Sequence, residues 1–373
     1  MSVSRAGREA AAQTPASGLA DAVARAAAVR DGWVREMMAW HFSPETGCPF
    51  WLEWKEGAGW DPRDRVQGVR DLALFGFFQD DWLRYTPLGK WIPHAYRGKP
   101  YHVFETGGTT GMPKQRLNWN DFQTDYAAFS EKLNPQGFPF GADWLHLGPT
   151  GPRRLRLAVE YLANIRGGAC FHIDLDPRWV VRLKKQGQTG ILDDYMDHLM
   201  EQTVVLLKHR PIRSMYATPR LLEALAERLS LPGVGIVGVF CGGTSMSPQV
   251  TRFLVEEVLE GKVQFEPTYG NVLMGVAYAK PLEPEDEWSV VYYGPQPRAV
   301  LRVVDPADPT QDVDYGAWGR VLLSTMTREF FMPNMLERDE ARRAPPCALY
   351  PWDGGRDVRP FQRMGERIVE GVY

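Results

Sequence analysis

The sequence predicts an α/β protein of two to three subdomains around one cleft, the last of them a small β part. Three observations predict it. Segments with apolar residues at helical spacing alternate with short apolar runs, as when strands are covered by helices. The run Gly235-Ile-Val-Gly-Val-Phe-Cys241 is continuously apolar, then breaks into Gly242-Gly-Thr-Ser-Met246 and a new helix. Ser247 is suited to cap that helix and Pro248 to occupy its first turn; such strand-loop-helix junctions seat ligands in open α/β sheets. From Trp288 onward helical signals fade, and residues 289–293, 299–304 and 319–325 read as strands.

The remaining elements follow in order. Residues 1–18 are rich in Ala, Ser and Arg without the compact apolar core of a secretory signal; they read as a flexible tail, with a transit peptide as the alternative. Residues 19–42 should form a helix. Between residues 44 and 98, Trp51, Trp54, Trp60, Trp82 and Trp91 read as the core of an irregular region rather than a ligand cage. Helices are expected over 119–133, 157–166, 191–208 and 219–229, and strands over 168–174 and 215–217. Asp174 and Asp176 precede a helix at Pro177, where carboxylates cap more often than they bind metal.

Composition narrows the function classes. With 373 residues and 44% hydrophobic content the chain can bury a large core. A net charge of −3 with interspersed signs argues against a nucleic-acid or polybasic membrane surface. No apolar run approaches the about 20 residues that span a bilayer, and the expected location is cytoplasmic. The four cysteines and seven histidines show no zinc-ligand spacing, and Cys170 and His172, two apart in a strand, read as packing.

The chemistry concentrates in Thr106-Gly-Gly-Thr-Thr-Gly-Met-Pro-Lys114. Gly107, Gly108 and Gly111 let successive N–H groups converge on anionic oxygens; Thr106, Thr109 and Thr110 add hydroxyl donors and Lys114 a point charge. It is not a Walker loop, because the lysine follows Pro113 and precedes Gln115. The alternative is a ligand-free Gly/Thr-rich turn.

This loop resembles the phosphate-binding signature of the adenylate-forming superfamily, which includes acyl-CoA synthetases, nonribosomal-peptide adenylation domains and luciferases. Gly242-Gly243-Thr244 is similar to the family's segment against adenine. Tyr269-Gly270-Asn271 resembles the start of its Tyr-Gly-x-Thr-Glu motif. Asp339 fits the acidic residue that binds the ribose hydroxyls, and Arg342 the cationic place that follows. Met332-Pro-Asn-Met-Leu-Glu-Arg-Asp339 resembles the phenylacetate-CoA-ligase-like branch, and within it the truncated adenylating proteins of phenazine-antibiotic biosynthesis.

The resemblance implies the large N-terminal domain of the adenylate-forming fold over residues 19–360, divided at 230 and 287. It also implies a hinge remnant over 361–373, marked by Gly365-Glu-Arg367, and no C-terminal lid. The implied function is ATP-dependent activation of an aromatic or heteroaromatic carboxylic acid to an acyl-adenylate, with AMP as the bound product form. Lys114, Thr109 and Thr110 would be catalytic, and Phe240 and Met274 would line the acid pocket. The acceptor would be an amine, CoA or a carrier protein, with a partner protein able to supply the lid. One departure stands out: Val272 and Leu273 occupy the places of the motif's Thr and of the Glu that holds Mg²⁺. Asn271 or Thr268 could replace the first and Glu266 the second. The competing reading is a nucleotide- or acyl-adenylate-binding scaffold without turnover.

Overall fold

A computed structural model describes residues 15–107, 111–152 and 154–361. The expectations for residues 1–14, for Gly108, Thr109 and Thr110, and for the hinge segment from residue 362 onward lie outside the described residues. One helix, Pro15–His41, opens the described chain.

Thirteen strands form among the described residues: β1 (His102–Glu105), β2 (Gln115–Asn118), β3 (Asp143–Pro149), β4 (Cys170–Leu175), β5 (Ile212–Ala217), β6 (Gly238–Cys241), β7 (Gln264–Asn271), β8 (Gly275–Ala279), β9 (Val291–Tyr293), β10 (Ala299–Val304), β11 (Trp318–Met326), β12 (Phe331–Ala344) and β13 (Gly354–Pro360). β1 and β2 pair as a separate antiparallel hairpin whose connection is the glycine-rich loop. The other eleven strands make one sheet, in the order β10-β11-β12-β13-β9-β8-β7-β6-β5-β3-β4. β4, β3, β5, β6 and β7 run parallel, each connection between them carrying a helix. β8 returns antiparallel to β7, and β9 to β13 extend the sheet antiparallel.

The central parallel strands β3, β5 and β6 are buried on both faces. Leu145, Met215 and Val239 pack on one side with Leu199, Leu221 and Leu222 of the helices Thr189–His209 and Pro219–Ala226. Trp144, Tyr216 and Phe240, one residue along each strand, pack on the other with Phe122, Phe129, Ala158 and Leu162 of the helices Asp121–Ser130 and Arg154–Ile165. This period-2 alternation between two apolar layers puts large apolar residues at successive positions in the middle of each strand. Local capping follows the sequence: Ser247 Oγ accepts from Val250 N at 3.3 Å and Asp176 Oδ1 from Arg178 N at 2.8 Å. Trp51 and Trp91 are buried, with Trp51 ringed by Phe42, Phe75 and Phe331, so the tryptophan-rich region is core.

Candidate active site

Four parallel strands end on one cavity. Pro149 closes β3, Tyr216 lies near the end of β5, Gly242 and Gly243 follow β6, and Thr268, Gly270 and Asn271 end β7; all line a cavity of about 240 Å³. The carboxyl ends of parallel strands are where this class of sheet seats ligands. Thr106 and Gly107 of the hairpin loop, with Tyr126, Arg154 and Leu155 of two helices, complete the walls, and Val272, Gly275 and Val276 close the far side.

A second cavity of about 190 Å³ adjoins the first through Gly243, Thr268 and Gly270. Its other walls include Thr244, Ser245 and Met246 after β6, Tyr269, Tyr292, and Asp339 of β12 beside Arg359 of β13. Glycine is required where the two meet. A Cβ on Gly242 would sit 2.6 Å from Thr268 Oγ1, and Gly243 has φ +95°, a conformation closed to most side chains.

The hairpin holds its loop by extending the ladder. Thr106 N donates to Lys114 O, and Lys114 N donates to Thr106 Oγ1, each at 3.0 Å. Lys114 is nearly buried, and its Nζ donates to Asp80 Oδ1 at 3.2 Å. Burial opposes ionisation of Asp80, but Lys114 and Arg84 outweigh it and its pKa is lowered. Lys114 lines neither cavity, yet its charge reaches Asp339.

Tyr269 and Asp339 form the polar heart of the second cavity. The phenol donates to Asp339 Oδ2 at 2.8 Å, and the ring packs on Tyr292 at 5.8 Å. Burial, then the nearby Glu337, pushes the Asp339 carboxyl up to about 6, against the pull of the Tyr269 hydroxyl, Arg338 and Lys114.

Other predicted site residues are placed differently. Asn271 Oδ1 accepts from Leu273 N at 2.9 Å and Met274 N at 2.8 Å, and its Nδ2 donates to Glu337 at 3.0 Å, so it shapes the β7–β8 turn while lining the first cavity. Thr268 lines both cavities, with its hydroxyl donating to Cys241 O at 3.1 Å. Phe240 and Met274 line neither. Phe240 is closed in by Phe129, Trp144 and Tyr216, and Met274 is sealed in the opposite core. Arg342 also lies outside both cavities, donating to Gly316 O at 3.3 Å and lying over Trp318. Arg359, which the sequence reading missed, supplies the cation at the second cavity; its Nε donates to Glu340 at 2.7 Å.

Among the described residues, those proposed for Mg²⁺ do not fit a protein-held ion. Glu266, beside Phe240 in the β6–β7 register, lines neither cavity, and burial pushes its carboxyl up to about 8, leaving it protonated at neutral pH. Val272 and Leu273 offer no side-chain oxygen, and among the described residues no group of three His, Cys, Asp or Glu is placed to hold a metal. We expect Glu266→Gln to leave the Mg²⁺ dependence of any ATP-consuming activity unchanged in a metal titration. A tenfold or larger rise in the Mg²⁺ requirement would restore Glu266 as a ligand.

No protein-family model matches this chain, and no curated protein sequence matches it. Solved structures do. 2-Hydroxyisobutyryl-CoA ligase in the postadenylation state, in complex with R3-HIB-AMP, aligns with a TM-score of 0.68 and 16% identity, over 91% of this chain and 68% of its own. The same ligase with 2-HIB-AMP and CoA in the thioesterification state gives 0.66 and 17%, over 91% and 69%. An open conformation with 2-HIB-AMP and CoA gives 0.64 and 16%, over 92% and 73%. The fold is thus that of the large N-terminal domain of adenylate-forming ligases. Among the described residues no helix is long and apolar enough to cross a membrane.

Proposed function

We propose that this chain activates a carboxylic acid with ATP, forming an acyl-adenylate and releasing pyrophosphate. The observation that carries the reading is the pair of adjoining cavities at the strand ends, one with a Tyr269–Asp339 couple and the other with the hairpin loop and an apolar wall. In this reading Tyr269 faces the adenine, and Asp339, as an ionised acceptor, takes the ribose hydroxyls. Gly242, Gly243 and Thr244 leave room for the nucleotide backbone between them. The α-phosphate sits where the cavities meet, at Gly243, Thr268 and Gly270. The loop from Thr106 to Lys114 neutralises the departing pyrophosphate, with Lys114 exchanging Asp80 for phosphate oxygens and Thr109 and Thr110 adding hydroxyl donors. Holding both reactants in place supplies the orientation for in-line attack, and fixed donors stabilise the charge that develops.

The acid occupies the first cavity, and we take it to be aromatic or heteroaromatic. Tyr126 and Tyr216 line it, with Leu155, Val272 and Val276 as apolar walls. A setting in phenazine-like secondary metabolism rests on the sequence resemblance alone. The acceptor that follows is an amine, CoA or a carrier-protein thiol, which product analysis with each class would separate.

A second reading is favoured by the protonated Glu266 and the apolar Val272-Leu273 pair: an adenylate-binding protein without turnover. Acid-dependent exchange of labelled pyrophosphate into ATP decides between them. Exchange supports the ligase; tight AMP binding without exchange supports the binding protein.

A further inference from the structure

The wall of the first cavity contains a cation in an unusual place. The helix Arg154–Ile165 begins with an arginine, at the end where free N–H groups already carry positive potential. Asp125, on the helix Asp121–Ser130, answers it, accepting from Arg154 Nη2. Yet Asp125 is shared. Arg298 Nε donates to its Oδ1 at 3.0 Å, and Arg298 Nη2 donates to Asp121 at 2.8 Å, while Arg116 also donates to Asp121. Three guanidiniums therefore rely on two aspartates. The third carboxylate in the cluster, Glu329, has one oxygen on Trp119 N at 2.8 Å and the other on Asn120 N at 2.6 Å.

Only one of these arginines faces ligand space. Arg116 sends Nη1 to the carbonyls of Val272 and Leu273, and Arg298 is committed to both aspartates. Arg154 lines the cavity and is 4% exposed. Its Nη2 is taken by Asp125 and its Nε is sealed from the cavity without a partner, whereas its Nη1 stands 3.4 Å from where a Cβ on the lining Gly275 would lie. Its guanidinium stands 5.8 Å from the ring centre of Tyr126. The cavity thus combines aromatic and aliphatic walls with a largely buried guanidinium whose Nη1 is the donor beside the lining. An acceptor placed there gains a charge-assisted hydrogen bond, and a ligand lacking one leaves the donor buried and unpaired.

We infer that Arg154 determines substrate specificity by hydrogen-bonding an oxygen acceptor on the body of the acid: a hydroxyl, a carbonyl or a second carboxylate. The inference rests on the adenylation reading. The reacting carboxyl belongs where the two cavities meet, at Gly243, Thr268 and Gly270, and Arg154 is not among the residues they share. The substrate class is then a compact oxygenated acid rather than a plain hydrocarbon acid.

The test uses matched pairs of acids with and without one oxygen substituent: benzoate against the three hydroxybenzoates and isophthalate, naphthoates against hydroxynaphthoates, and an aliphatic pair. Pyrophosphate exchange is measured for the full chain, R154M and R154K, with thermal melts to confirm folding. The unmodified chain should favour an oxygenated member by about ten- to a hundredfold in kcat/KM. R154M should reduce that preference to within threefold, mainly through KM, and R154K should keep part of it. Exchange without preference, preference that survives R154M, or R154M lowering both members of a pair equally would each overturn the inference alone. Failure of the unmodified chain to exchange with any acid would overturn the adenylation reading, and the inference with it.

Discussion

Lys114→Ala is expected to lower acid-dependent turnover by about 10²–10³-fold while changing AMP affinity by less than about threefold. The split follows from geometry. The root of the lysine is fixed by its backbone contacts with Thr106, and the side chain is buried against Asp80. A cation rooted beside the loop, leaving Asp80 for the phosphate oxygens, meets the negative charge that grows there as pyrophosphate departs. AMP lacks the β- and γ-phosphates that this cation would meet, so its binding should be nearly blind to the change. Asp80 keeps Arg84 as a partner at 3.3 Å, so the variant should remain folded. Single-turnover kinetics beside AMP calorimetry check the split. Unimpaired turnover would remove Lys114 from the chemistry, and equal losses in both quantities would make it a structural residue.

The second large effect is expected at Asp339. A ribose-binding carboxylate must be ionised to accept two hydroxyl hydrogens while also accepting from Tyr269. With the carboxyl lifted to about 6, the ionised fraction is about 0.9 at pH 7 and about 0.1 at pH 5. AMP affinity should therefore fall about tenfold over that interval. Asp339→Asn should bind AMP at least about tenfold more weakly at pH 7 and lose this pH dependence. Stability moves the opposite way. Because the folded protein favours the protonated carboxyl more than the unfolded chain does, ionised Asp339 is destabilising. That cost appears as pH rises from about 4 and is complete above about 6, reaching at most about 3 kcal/mol before water in the cavity screens it. Asp339→Asn should accordingly melt higher than the unmodified chain at pH 7 and not at pH 4. Unchanged AMP affinity in the variant would remove Asp339 from the nucleotide site.

What the sequence revealed was local. Ser247-Pro248 and Asp176-Pro177 start helices by interactions that span three residues, and the apolar run ending at Cys241 is buried on both faces as a central parallel strand must be. The same two-sided burial hid the role of Phe240. In a strand apolar on both sides, nothing in the spacing tells a cavity wall from sealed core. Arg359 and Arg154 were missed for a related reason. Arg359 reaches the second cavity because β13 lies beside β12, pairing Asp339 with Pro360. Arg154 depends on Asp125, 29 residues away, and Asp125 on Arg298, a further 173 residues along. No signal marked Arg154, since the helix was expected to open only at residue 157 and the strand Asp143–Pro149 before it was not read. Asp339 was legible only through resemblance, since it sits in the consecutive charges Glu337-Arg-Asp-Glu340 of the 14-residue strand β12, which read like a solvated segment.

Adenylation by this chain is read out by acid-dependent exchange of labelled pyrophosphate into ATP. It would be measured with aromatic, heteroaromatic and aliphatic carboxylates, with and without Mg²⁺. Exchange is expected to require the acid, to be strongest with one aromatic class and to be lost in Lys114→Ala. No exchange with any acid, by a folded protein that still binds AMP, would contradict adenylation and leave a nucleotide-binding protein in its place.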